Sequence, residues 1–336
     1  MNNEPNNQSV KRRMALRALV SALLVIIFAL LYIFYWPSLY DAILARQFQP
    51  NAQIAAINSR LKLTDQGTNL FYASVPTVQN QDQFNTSCES TERTTAMLGC
   101  YFKRHIYLYN VTNKDLDGAV EVAAAHEMLH AAYDRLNYFD RMSVDRMVQE
   151  QYEKIKDDPE IKSLMAYYNK AEPGSDINEL HSIIGTTISS VSPELEAYYK
   201  RYFTDRSSIV ELNAKYTAVF KEVESQSRAL SAQIETEKDA LKSDLTAYDV
   251  DRVQLETDID SFNERAKNGG FSSQSALTAA RNALLARTSA LNARRLAINE
   301  RVAAYNQTVA KLNALSVKVG ELNKSMNGIT TPASGV

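Results

Sequence analysis

Two histidines and a glutamate at the spacing H-E-x-x-H are the residues of this sequence best suited to chemistry. His126, Glu127 and His130 lie in an alanine-rich run that favours a helix. Residues four apart share one face of a helix, so both imidazoles can reach one metal ion while Glu127 faces a water molecule. The chain has only four histidines, so a chance match is rare. The pattern predicts a Zn2+ site with a general base beside it.

A third ligand is expected from a second helix that opens near Asp176. The helix of His130 lacks the later Gly and His of the metzincins, which excludes that class. Glu179 is the first candidate, because carboxylates commonly complete zinc sites. Two alternatives stay open. Glu179 could form a capping box with Asp176, or His181 could be the ligand.

These two segments resemble the gluzincins, the thermolysin-like zinc peptidases, which pair H-E-x-x-H with a distant Asn-Glu-x-x-Ser. Asn178, Glu179 and Ser182 match the second motif, and Asp134 lies four residues after the second histidine, where the family often has an aspartate. The resemblance implies that Glu179 is the third zinc ligand and that Asn178 and Asp134 orient the imidazoles. Ile183 stands where the family usually has another aspartate.

The resemblance also implies a reaction. Glu127 would take a proton from zinc-bound water as that water attacks a peptide carbonyl, and the zinc would stabilise the oxyanion. His181 and Tyr133 are candidates for binding that oxyanion, and each could instead simply pack. The chain is also similar to a set of membrane-anchored bacterial proteins with H-E-M-L-H and E-L-H-S segments, a likeness that implies no substrate.

Zincins usually hold a peptide substrate as an added strand beside the metal-binding helix. Residues 101–111 alternate in the manner of a half-buried strand, with Ile106 and Leu108 on one face and Tyr107 on the other. A further strand is predicted at residues 70–75. We expect the 101–111 strand to bind the substrate.

The N-terminus predicts a membrane anchor. Residues 18–36 form an uncharged, apolar stretch of 19 residues, long enough at about 1.5 Å per residue to cross a bilayer core. Four basic residues precede it: Lys11, Arg12, Arg13 and Arg17. The positive-inside rule then leaves residues 1–14 in the cytoplasm, residues 15–36 in the lipid bilayer of the plasma membrane, and the remainder outside. A cleaved signal peptide is the rival interpretation.

Cysteine usage agrees with export. Cys88 and Cys100 are the two cysteines of the chain, and both fall in the part predicted to be outside. In an oxidising compartment they would form a disulfide, which stabilises a loop of this length by roughly 2–3 kcal/mol. Their spacing lacks the short C-x-x-C pattern of metal sites.

Residues 37–206 are expected to form the catalytic domain, and the predicted fold is mainly α with a small β-sheet, an α+β zincin-like domain. The net charge is −2, and no basic run outside the anchor region indicates a nucleic-acid partner. The few glycines and prolines, 10 and 8, fit a helical protein.

Residues 207–328 have the pattern of two long helices. Apolar residues recur every seven positions from Ile209, with one shift of four, and the repeat resumes at Leu277. A Gly-Gly turn lies near residues 267–271, and residues 329–336 are predicted to be a flexible tail. The helices are therefore expected to fold back as an antiparallel coiled-coil hairpin on the order of 80 Å long.

One row of the second helix consists of Arg287, Arg294 and Arg301, so the facing helix must supply carboxylates. The first helix offers seven: Glu235, Asp239, Asp244, Asp249, Asp251, Glu256 and Asp258. A solvated helix pair accounts for these charges without any ligand. Such a hairpin could also dimerise the chain or bind another coiled coil.

Two functions compete on this sequence. The first is a membrane-anchored extracytoplasmic zinc metalloendopeptidase acting on a peptide or protein substrate. The second is a catalytically inactive zincin-like scaffold whose coiled coil recruits or activates a cell-envelope partner. Retention of Glu127 favours the enzyme, because a purely structural metal site needs no general base.

Overall fold

The structure is a computed structural model in which residues 7–88, 98–171 and 176–326 are described, apart from the side chains of 7–10, 29–38, 167–171 and 176. The helices are α1 (Asn7–Gln47), α2 (Ala52–Leu61), α3 (Asp65–Ala73), α4 (Gln81–Ser87), α5 (Ala119–Asp134), α6 (Tyr138–Ile155), α7 (Pro159–Ala171), α8 (Asp176–Thr187), α9 (Pro193–Tyr199), α10 (Ser207–Lys267) and α11 (Gln274–Met326). The strands are β1 (Thr77–Gln79), β2 (Gly99–Phe102) and β3 (His105–Tyr109). The predicted combination of a mainly α fold, a small sheet and a long helical hairpin is confirmed.

The chain divides into two compact units. Among the described residues, one unit contains those up to residue 217 together with residues 323–326, and the other contains residues 218–322. The first unit is built around α5, whose buried face includes Met128 and Leu129. Helix α8 packs closely on α5 at Gly185, where an added Cβ would lie only 2.4 Å from Leu129 Cδ1. This close approach brings the residues of α8 next to the histidines of α5.

The three strands are ordered β1-β3-β2, with β1 parallel and β2 antiparallel to β3. Ile106 and Leu108 are fully buried, as the alternation predicted. The single strand predicted at residues 101–111 is wrong, however. Lys103 and Arg104 have φ values of 49° and 67°, and this left-handed turn divides the segment into β2 and β3.

The strand predicted at residues 70–75 is also wrong. Most of that segment belongs to α3. Thr64 is the N-cap of this helix, and its hydroxyl accepts a hydrogen bond from the amide of Gly67. A short apolar run has the same pattern in a strand and in a buried helix, and here the N-cap decides. The nearby strand β1 starts only at Thr77.

The apolar N-terminal stretch lies in α1, a single helix of 41 residues. Among the described residues, no helix is long and apolar enough to cross a membrane. The anchor predicted at residues 15–36 falls partly on residues 29–38, whose side chains lie outside the described residues. The anchor therefore stays a prediction.

The second unit is a helical hairpin whose two arms are joined by ion pairs. Arg287 binds Asp258 at 2.5 Å and Arg294 binds Asp251 at 2.7 Å. Arg301 pairs with Asp244. Each step of seven along α11 is matched by seven residues backwards along α10, so the arms are antiparallel. Exposed ion pairs add little stability, roughly 0–1 kcal/mol each, and here they fix the register.

The predicted disulfide is confirmed. Cys88 and Cys100 are bonded, with their Cα atoms 6.2 Å apart. Cys88 directly follows α4 and Cys100 lies in β2, where both pack against Phe84. The bond therefore ties the sheet strand next to α5 to a neighbouring helix.

Candidate metal centre

His126, His130 and Glu179 converge in the first unit. The Nε2 atoms of His126 and His130 are 3.1 Å apart. Glu179 Oε1 lies 3.2 Å from His130 Nε2, and Glu179 Oε2 lies 3.5 Å from His126 Nε2. Helix α5 supplies both imidazoles on one face, and α8 brings the carboxylate to them. This buried cluster could hold a metal ion.

These atoms lie close enough together to hold one metal ion. Zinc bonds of about 2.0–2.1 Å in a tetrahedron separate neighbouring ligand atoms by roughly 3.3–3.4 Å. The two imidazole nitrogens are 3.1 Å apart, and each faces a different oxygen of Glu179, at 3.2 and 3.5 Å. Glu179 Oε2 is buried and has no hydrogen-bond partner, an arrangement that is costly unless a cation completes it. The donor set of two imidazoles and a carboxylate is also one that zinc accepts.

The protonation states favour metal binding. Burial lowers the pKa of His130, and the adjacent Glu179 only partly offsets this. Burial raises the pKa of Glu179, but the two neighbouring imidazoles outweigh burial and leave that pKa below its ordinary value. A neutral imidazole and an ionised carboxylate are the forms that bind a metal.

Glu127 lies on α5 between the two histidines and is largely buried. The backbone of Gly99 in β2 lies against it: an added Cβ would be 2.7 Å from Glu127 Cγ and 2.9 Å from Glu127 Oε1. Only glycine leaves room for the carboxylate at this place. Gly99 was not predicted as a site residue, because nothing in the sequence pairs it with Glu127.

Strand β2 has an outer edge next to the site. Tyr109 donates a hydrogen bond to the carbonyl of Leu98, and the antiparallel register then makes alternate residues of β2 bond to β3. Cys100 and Phe102 are the residues of β2 that bond to β3. The backbone N–H and C=O groups of Gly99 and Tyr101 therefore point away from β3. Among the described strands, β3 is paired on both sides and β2 on one.

Asn178 and Asp134, which the resemblance implies to orient the imidazoles, differ in their surroundings. The side chain of Asn178 raises the pKa of His130 and so lies against that ring. The carboxylate of Asp134 instead accepts a hydrogen bond of 2.9 Å from the hydroxyl of Tyr101 and lies 4.0 Å from Arg104. Asp134 is the last residue of α5, which turns its side chain towards the β2–β3 turn.

The other two candidates have partners of their own. His181 is fully buried, and its Nε2 is 3.0 Å from the hydroxyl of Tyr198. The structure brings Glu179, and not His181, into the three-residue cluster. The hydroxyl of Tyr133 donates a hydrogen bond of 2.6 Å to Asp145. The roles predicted for His181 and Tyr133 as oxyanion ligands stay predictions.

His181 makes the stability of the protein sensitive to acid. Burial lowers its pKa to about 3, whereas an unfolded histidine has a pKa of about 6.5. Below pH 6.5 the unfolded chain takes up a proton that the folded chain refuses, so stability falls with falling pH. Between pH 7.5 and pH 5, we expect this histidine to cost about 2 kcal/mol of unfolding free energy. Urea unfolding at the two pH values measures the loss.

The variant His181→Gln should show a pH-dependent loss that is smaller by about 2 kcal/mol. His105→Gln is the control, because His105 is only partly buried and its Nδ1 lies 2.9 Å from the carbonyl of Lys103, two residues away. An equal loss in wild type and His181→Gln would contradict the assignment.

Comparison with known proteins adds no relative: no protein-family model, no curated protein and no solved structure matches this chain. The function must therefore be inferred from the residues themselves.

Proposed function

We propose that this protein is a zinc-dependent metallopeptidase of gluzincin type. The observation that carries the proposal is the triangle of His126, His130 and Glu179, with the carboxylate of Glu127 on the same helix between the histidines. A buried metal site without catalysis would not need that fourth residue. The matching Asn178 on α8, beside His130, supports the same family.

Different residues would perform the different steps of the proposed hydrolysis. His126, His130 and Glu179 would hold the zinc, which when bound polarises a carbonyl and lowers the pKa of water towards about 7. Glu127 would accept the proton of the attacking water on its carboxylate. Its burial limits competing solvent and keeps the carboxylate aimed at the site.

The substrate would bind as a strand along the outer edge of β2. The backbone groups of Gly99 and Tyr101 point to that edge, and Gly99 lies beside Glu127. A peptide pairing there would bring its carbonyl groups close to the metal and the base. This shifts the binding strand from the predicted segment 101–111 as a whole to β2, because β3 has no unpaired edge among the described strands.

We also propose that residues 15–36 anchor the chain in the plasma membrane and place the peptidase outside. The apolar stretch with four preceding basic residues supports this. The disulfide between Cys88 and Cys100 supports an oxidising compartment. Cysteine labelling of single-site variants on either side of the stretch, in intact cells, tests the orientation.

The test of the function is metal-dependent cleavage. Purified full-length protein should contain about one zinc per chain, cleave an unstructured protein or a peptide library, lose that activity to a chelator and regain it with added zinc. Zinc without cleavage of any peptide would favour the scaffold hypothesis. Absence of zinc after refolding with excess metal would contradict both the site and the function.

Gly99→Ala should slow cleavage without removing zinc. The added Cβ would lie 2.7 Å from Glu127 Cγ and 2.9 Å from Glu127 Oε1, so the Glu127 side chain must shift. Misplacing a general base by about 1 Å can cost on the order of 100-fold, so we expect kcat to fall by about that factor. Steady-state kinetics and zinc content measure both effects.

Gly320→Ala is the control for that substitution, because an added Cβ at Gly320 meets nothing within 4 Å. It should leave both kcat and zinc content unchanged. A kcat of Gly99→Ala equal to that of wild type would mean that the contact with Gly99 does not position Glu127.

A further inference from the structure

Asp41, near the end of α1, binds two arginines at once. Its Oδ1 accepts a hydrogen bond of 2.6 Å from Arg104, and its Oδ2 accepts one of 2.7 Å from Arg135 Nε. A second nitrogen of Arg135 lies 3.3 Å from Oδ1. The side chains of Asp41 and Arg135 are only 17% and 13% exposed. The two-point contact of a carboxylate with a guanidinium fixes orientation as well as distance.

The two arginines belong to the elements that surround the metal centre. Arg104 lies in the turn between β2 and β3, and Arg135 directly follows α5. Arg135 also donates to the hydroxyl of Tyr101 at 3.1 Å, and that hydroxyl donates to Asp134 at 2.9 Å. We call Asp41, Arg104, Arg135, Tyr101 and Asp134 the Asp41 cluster.

Strand β2 therefore touches α5 at two places on one face. Gly99 and Tyr101 are two residues apart in a strand, so their side-chain positions face the same way. Gly99 lies against Glu127 in the middle of α5, and Tyr101 is bonded to Asp134 and Arg135 at its end. The first contact needs only glycine, whereas the second includes Arg135, which donates hydrogen bonds to both Asp41 and the carbonyl of Ala131.

We propose that Asp41 is a positioning residue that holds the β2–β3 hairpin at a fixed distance from α5. Helix α1 thereby becomes part of the catalytic domain and not merely the segment that precedes it. Its effect on catalysis rests on the proposed peptidase function. A displaced β2 would present Gly99 and Tyr101 poorly to a substrate strand, while the metal ligands on α5 and α8 would be unaffected.

Asp41→Asn in the full-length chain tests this proposal. The amide has no charge and cannot accept from both arginines with equal strength. We expect hydrogen exchange of residues 98–109 to accelerate about tenfold, and zinc content to stay at the wild-type value. Because binding and not the base is affected, KM for a cleaved peptide should rise about tenfold with little change in kcat.

Asp117→Asn is the matched control. Asp117 also accepts hydrogen bonds from two cations, Arg60 and Lys215, but it precedes α5 and lies at the opposite end of that helix. It should leave exchange in residues 98–109 and KM at wild-type values. Equal acceleration in the two variants would overturn the proposal, because the effect would then be a general loosening of α5.

Hydrogen exchange tests the positioning role of Asp41, and peptide cleavage tests the proposed peptidase function. Wild-type exchange of residues 98–109 in Asp41→Asn would overturn the role of Asp41 whether or not any peptide is cleaved. If wild type cleaves nothing, the peptidase proposal fails, and exchange still decides the role of Asp41. Arg135→Lys provides a second variant should Asp41→Asn not fold. It keeps the charge, loses the two-point contact, and should accelerate exchange in the same segment.

Discussion

Replacement of Glu127 by glutamine is expected to remove hydrolysis while leaving zinc bound. Glutamine keeps the size of the side chain and can still fit against Gly99, but it cannot accept a proton from water. General-base catalysis is typically worth a factor of about 10²–10⁴ in rate. We therefore expect kcat of Glu127→Gln to fall by at least about 100-fold, and the zinc content to stay near one per chain.

A second buried glutamate on the same helix provides the control. Glu121 is exposed to a similar extent as Glu127, 8% against 7%, but it accepts a hydrogen bond from Arg60 away from the histidines. Glu121→Gln should destabilise the protein somewhat and leave kcat of the folded fraction unchanged. Unchanged kcat in Glu127→Gln would exclude Glu127 as the base and would require another residue in that role.

The metal cluster was accessible from the sequence because its geometry is local. The spacing of four between His126 and His130 guarantees a shared helical face wherever that helix lies. The prediction of Glu179 as a ligand was not local. It depended on the resemblance to a known motif, and its position in the structure depends on the close packing of α8 on α5 that Gly185 permits. Both carboxylate oxygens of Glu179 face the imidazoles, and the side chain of Asp176, its partner in the competing capping interpretation, lies outside the described residues.

The hairpin was predictable for a different reason. A repeat of seven specifies which face of each helix is covered, and an arginine row specifies the chemistry of the opposite arm. The observed pairs of Arg287, Arg294 and Arg301 with aspartates follow from that pattern. Knowing that the arms are joined by a short Gly-Gly turn was sufficient to expect the antiparallel direction.

The contacts around β2 were not predictable. Gly99 and Glu127 are 28 positions apart, and Asp41 and Arg135 are 94 apart. No periodicity links such pairs, and their proximity arises from how the sheet lies on α5. The turn at Lys103 and Arg104 was also missed, because two non-glycine residues with positive φ give no recognisable signal in sequence. The partner of Asp134 was not predictable either. The motif spacing suggested that Asp134 orients a histidine, but in the structure its carboxylate accepts a hydrogen bond from Tyr101.

Glu179→Gln is expected to weaken zinc binding sharply. The substitution removes the only charged ligand of the cluster and leaves two neutral imidazoles. Changes to residues behind the ligands typically cost 10–100-fold in metal affinity, so loss of a ligand itself should cost at least about 100-fold. Competition with a chromophoric chelator measures the affinity.

Asp134→Asn is the informative control. If Asp134 orients an imidazole, as the resemblance implies, its loss should also weaken zinc binding by 10–100-fold. Because the structure bonds Asp134 to Tyr101, we expect wild-type affinity in Asp134→Asn. Wild-type affinity in Glu179→Gln would instead remove Glu179 from the site and return His181 as the candidate third ligand.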